Sequence, residues 1–180
     1  MDTGYKQTTH ETCLVCCLMD SISKLIPIEI NRELELDMID YVIRFSRIDF
    51  CSGHLDYVCR NFNLKITRLV DSQEFLGFIN KIKVSKSILN KFRKIDLETI
   101  DFILRTNSPI VYVDAECLFK GCPHAPHFIK VLSKTKDGYM VYDPWDGKIK
   151  EINKITLLQG ILSLKNRLKI CPQILIVGIP

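Results

Sequence analysis

The apolar residues of this chain change their period just past its midpoint, and that switch is the strongest limit on its fold. Before about residue 105 they recur at helical spacing; after residue 109 they alternate or run together as strands do. Leu14, Leu18, Met19, Ile22, Leu25 and Ile26 mark a first helix, which Pro27 must end. Thr8-x-x-Glu11 has the form of a capping box at its head, with Thr12 a second candidate N-cap. A second helix is predicted from Asn31 to Phe45, with Leu34, Met38, Val42 and Phe45 on one face. A third, after Ser52, carries Leu55, Val58, Cys59 and Phe62. "LKITRLV" alternates as a short strand, and Asp71-x-x-Glu74 opens a helix with Phe75, Phe78 and Ile79 inside. Residues 86–93 fit neither period, and 96–105 read as helix.

The second half reads as sheet. "PIVYVD" is a β-branched and aromatic run. "HFIKVLS" and "YMVYD" flank "KTKDG", a hairpin turn with Gly138 available for positive φ. "PWDG" is a second turn and "KIKEI" a third strand. Residues 153–164 fit a helix, and "PQILIVGI" closes the chain as a buried strand. Helices first and a largely antiparallel sheet afterwards indicate an α+β fold, N-terminal helices packed on a C-terminal antiparallel sheet. A chain of 180 residues fills one core and not two, so a single domain over 1–180 is expected.

Composition excludes several function classes. The net charge of +4 is spread without a single-sign run, so no clustered basic face points to nucleic acid. No apolar run follows a basic segment at the N-terminus, and "ILIVGI" is too short to cross a bilayer. The expectation is a cytoplasmic protein without membrane contact, its eight cysteines reduced.

A thiol nucleophile needs a stabilised thiolate, a base in reach, a group orienting that base, and donors for the oxyanion. Cys13 sits in the first turns of the first helix, where unpaired N–H groups favour negative charge. Cys16 and Cys17 lie a turn deeper and read as packing. Gln7, six residues before Cys13, can offer a side-chain amide to the same substrate oxygen as the Cys13 N–H. His127 starts one strand of the hairpin and Asp143 ends the other, so the hairpin brings them side by side. Asp143 then orients the imidazole, and the thiolate–imidazolium couple is the reactive form.

With these residues in view, the chain resembles the papain-like cysteine peptidases of the bacteriocin-leader-processing type, family thirty-nine of the cysteine peptidases. Gln7, Cys13 at a helix head, "HFIKVLS" and "GYMVYDPWDG" carry the likeness, from residue 7 to about 150. The resemblance implies a papain-like fold and a cysteine peptidase, or a related acyl hydrolase or transferase working through a thioester. It implies Cys13 as nucleophile, His127 as general base and acid, Asp143 as orienter and Gln7 as oxyanion donor. A peptide or protein substrate follows, and no cofactor. The family has glycine after the cysteine where this chain has Leu14. That departure keeps open an alternative: an inactive papain-like module that binds a peptide or protein partner.

Other readings compete for the same residues. Cys117, Cys122, His124 and His127 form a loose set of zinc-type ligands, and Cys51, His54 and Cys59 a looser one. His10 reads as a surface histidine or a backup base. Trp145 reads as a core residue, with a wall of the site as its other role. The oligomeric state leaves no trace in the sequence.

Overall fold

The computed structural model describes residues 4–9, 11–45, 49–119 and 121–180. The fold is α+β. Three helices come first: α1 (Cys13–Ser23), α2 (Arg32–Phe45) and α3 (Phe50–Phe62). Then follow β1 (Lys65–Val70), α4 (Gln73–Ile79), β2 (Ile88–Phe92) and α5 (Leu97–Ile103). The last part holds β3 (Ile110–Asp114), α6 (Ala115–Leu118), β4 (Pro126–Lys134), β5 (Gly138–Asp143), β6 (Lys148–Asn153), α7 (Lys154–Asn166) and β7 (Gln173–Gly178). Among the described residues the strands form one sheet in the order β2-β1-β7-β3-β4-β5-β6. Every neighbouring pair is antiparallel except β1 with β2.

Period-two alternation sorts the sheet residues between two cores. Ile110, Phe128 and Leu175 pack with α1, α2 and α3 on one face. Their chain neighbours Val111, Ile129 and Ile174 pack with α5 and α7 on the other. The ambiguous stretch at 86–93 contains β2, an edge strand mostly open to solvent, which explains its missing pattern. α1 is buried on all sides between the other helices and the sheet, from Cys13 through Ile22 with few breaks.

Local signals at the element ends differ from expectation in three places. The Thr8–Glu11 capping box does not form, because Thr8 and Thr12 turn their hydroxyls to Glu35 of α2. Thr12 is the N-cap of α1 but makes no side-chain cap bond, and Glu11 adopts a φ of 66°. Ser72, not Asp71, caps α4 by accepting the Phe75 N–H. Gly138 does not use positive φ; Gly121 and Gly147 do. What Gly138 provides is close approach: a Cβ there would stand 2.0 Å from the Ile152 carbonyl oxygen on β6. Gly138→Ala is therefore expected to cost at least about 1–3 kcal/mol, as overpacking does. Urea unfolding checks this, and an unchanged midpoint would refute the close-approach role.

No helix among the described residues is long and apolar enough to cross a membrane.

Candidate active site

The head of α1 docks on the start of β4 through two thiols four residues apart. The Phe128 N–H donates to Cys13 Sγ at 3.4 Å, and the Cys17 S–H donates to the Phe128 carbonyl at 3.7 Å. One thiol accepts and the other donates on the same residue. Cys17 is fully buried and Cys13 is 8% exposed. Burial pushes the Cys16 and Cys17 thiols up, with the Glu35 carboxylate adding to the effect on Cys16. Both are core thiols, as their depth in the helix predicts.

His127 stands beside Phe128 at the end of the sheet. The β4–β5 ladder pairs Lys130 with Tyr142 and Val131 with Val141. Continued by one step, it sets Ile129 opposite Asp143, with His127 two residues beyond on the same face. The imidazole Nε2 meets Asp143 Oδ1 at 2.9 Å. Cys13 lies near enough to the ring to favour its charged form together with Asp143. Burial pulls the imidazole pKa down, but Asp143 and Cys13 outweigh it and hold the pKa at about 9. Both partners thus favour the charged form of the ring.

Asp143 is 1% exposed. Burial alone would raise its pKa, yet hydrogen bonds from His127 and Lys150 hold it below the usual carboxylate range. Oδ1 also accepts the Trp145 N–H at 3.0 Å, and Oδ2 accepts Lys150 Nζ at 2.7 Å. Lys150 reaches Asp146 as well, at 3.0 Å, and its ammonium lies 4.3 Å from the Phe119 ring centre. Phe119 meets the imidazole edge-on at 6.1 Å, and Trp145 lies 5.7 Å from it. Trp145 is 41% exposed, so it walls the site and is not the core residue expected of it.

The loop before α1 lies along the turn that follows Asp143. The Gly4 N–H donates to the Gly147 carbonyl at 2.8 Å, and the Gln7 N–H to the Pro144 carbonyl at 2.9 Å. The Tyr142 hydroxyl donates to the Tyr5 carbonyl. Gln7 thus joins the site through its backbone. Its side-chain Nε2 donates to the Thr9 carbonyl at 3.2 Å, and its buried Oε1 has no partner among the described residues. Leu14 is 4% exposed and packed in the helical core.

The zinc-type sets are not gathered. Among the described residues no three His, Cys, Asp or Glu side chains are placed to hold a metal ion. His127 Nε2 bonds Asp143 at 2.9 Å, and His124 Nδ1 bonds Asp114 at 2.8 Å. Cys51 bonds Gln173, while His54 is buried, and burial lowers its pKa to about 4. All eight cysteines are free. His10 lies outside the described residues.

No protein-family model and no curated protein matches this chain.

Three contributors were missed in the sequence. Lys150 had a faint signal, since it follows at strand period the Lys148 that pairs with Asp143. Phe119 and Glu35 had none, because a loop and a separate helix deliver them.

Proposed function

We propose that this protein is a thiol-dependent acyl hydrolase or transferase of the papain-like kind, acting on a peptide or protein in the cytoplasm. The observations that carry the reading are the His127–Asp143 hydrogen bond and the Cys13 sulfur, held by the N–H of the next residue, Phe128, close enough to the imidazole to help raise its pKa. In this reading the Cys13 thiolate adds to the substrate carbonyl. The Cys13 N–H, in the first turn of α1, receives the oxyanion, and the second Nε2 hydrogen of Gln7, the one not given to the Thr9 carbonyl, joins it. His127 then gives its proton to the departing amine, leaving a thioester on Cys13. Water or an amine attacks the thioester, passing its proton to His127 and restoring the thiolate. Asp143 and Lys150 hold the ring in the orientation this requires. Eight free thiols fit a reducing compartment.

Limited iodoacetamide treatment followed by peptide mass mapping tests the assignment. Cys13 is expected to be alkylated first, and a peptide aldehyde is expected to add to the wild type but not to Cys13→Ala. Alkylation of Cys13 at the pace of the other thiols, with no aldehyde adduct, would sink it.

One observation favours the non-catalytic binding module. Cys13 is only 8% exposed, and its sulfur already accepts the Phe128 N–H. A module of that kind would bind a peptide with equal affinity before and after Cys13→Ala.

A further inference from the structure

We propose that Glu35 is a positioning residue of this site, a buried carboxylate on α2 that holds the Gln7 loop and the head of α1 in working order. The inference rests on the thiol-enzyme reading above. Glu35 is fully buried, on a helix that contributes no other residue to the site. Its carboxylate accepts the Tyr5 hydroxyl at 2.8 Å, the Thr8 hydroxyl at 2.7 Å and the Thr12 hydroxyl at 2.6 Å. It also accepts the Thr8 N–H, at 3.1 and 3.2 Å to its two oxygens. These donors bracket Gln7 and end at the residue before Cys13.

A buried carboxylate is costly unless its oxygens are filled. Here hydroxyl and amide donors fill them, and among the described residues no cation pairs with Glu35. The titratable groups facing it are Tyr5 and Cys16. Burial and the neighbouring carboxylate push the Tyr5 phenol up to about 12 and the Cys16 thiol further still, so both stay neutral. Glu35 is then the one charge in this cluster.

That arrangement does two things for the site. An ordinary Thr N-cap would accept N–H groups at the head of α1 and occupy donors beside the nucleophile. Here the Thr12 hydroxyl lies against Glu35 and the Thr9 carbonyl, and α1 has no side-chain cap bond, which leaves the N–H groups of its first turn without a side-chain cap. Its charge also adds to the burial that keeps Cys16, one turn below Cys13, as a thiol. The hydrogen bonds hold the Glu35 pKa below its usual value despite burial. Its contribution is present above the unfolded carboxylate pKa and is lost as pH falls through the lowered folded value.

The test compares wild type, Glu35→Gln and Thr8→Ala with two probes of Cys13 and with hydrogen exchange. A peptide aldehyde forms a hemithioacetal and needs the oxyanion donors; iodoacetamide needs only the thiolate. Glu35→Gln is expected to weaken aldehyde binding about tenfold or more, part of what losing an oxyanion donor costs. The iodoacetamide rate at Cys13 stays within about twofold, because the His127–Asp143 pair is untouched. Amides of residues 4–9 exchange faster, while β4 and β5 keep their protection. Thr8→Ala, at an exposed position, gives a smaller change in the same direction and guards against a Glu35 variant that does not fold. Wild-type aldehyde affinity in both variants overturns the proposal, as does a parallel fall with both probes. If wild type itself forms no adduct, the thiol-enzyme reading has failed, and unchanged exchange in the 4–9 loop then removes the anchoring role too.

Discussion

His127→Ala is expected to slow acylation of Cys13 by an activated p-nitrophenyl ester about 10²–10⁴-fold at neutral pH, the usual loss for a positioned acid–base group. The ring sits against Asp143, Phe119 and Trp145, and alanine offers none of them a proton-carrying group. Its folded pKa is raised to about 9 from an ordinary 6.5. A raised histidine pKa stabilises the fold fully below the unfolded value, and that contribution is lost as pH rises through about 9. The stability gap between wild type and His127→Ala should therefore narrow from near-neutral pH to above 9. A release burst of p-nitrophenolate with the mass of the acyl adduct reads the rate. Equal bursts in the two proteins would end the acid–base assignment.

Asp143→Ala is expected to cost about 3–5 kcal/mol of stability at neutral pH, the range for removing one partner of a buried charged pair. The loss leaves the buried His127 without its Nε2 acceptor, the Trp145 N–H without a partner, and Lys150 with Asp146 alone. Asp143→Asn keeps an acceptor oxygen and the side-chain volume, so its cost is smaller. Its effect on Cys13 acylation should still be large, because a neutral amide no longer supports the imidazolium. Since the Asp143 pKa is lowered in the fold, its contribution is present above the unfolded carboxylate value and fades as pH falls through the folded one. Urea unfolding at neutral and at acidic pH reads both points. Equal stability of wild type and Asp143→Ala at neutral pH would show that the pair is not the keystone described.

The hairpin was the most legible part of the site. Alternation in "HFIKVLS" and "YMVYD" with a short turn between them fixes the register to within a step, and register alone puts His127 near Asp143. Cys13 was legible as a helix-head residue because Pro27 and the apolar spacing bound α1. Glu35 was not. Its donors lie 23 to 30 residues earlier in the chain, and nothing local sets a buried glutamate apart from the exposed acids of α2. Gly138 shows the same limit in small: its place in a turn was evident, but the need for close approach came from β6.

Trp145 left the core expected of it, while Leu14 kept its place on the apolar face of α1. An indole is usually drawn into a core, yet the turn after Asp143 stands at the sheet margin and leaves Trp145 beside the imidazole. Leu14 follows the nucleophile, but a helix rotates each successive residue by about 100°. That rotation carries Leu14 into the core between the helices.

The sequence by itself determined the α+β order, the hairpin and the helix that presents Cys13, because periodicity and turn chemistry act over a few residues. Only the tertiary structure decided that Cys13 meets His127, that Lys150 and Trp145 complete the Asp143 site, and that Glu35 carries the loop. Those outcomes depend on how a helix crosses a sheet and on which buried charge finds its donors, and such contacts join residues that no local pattern connects.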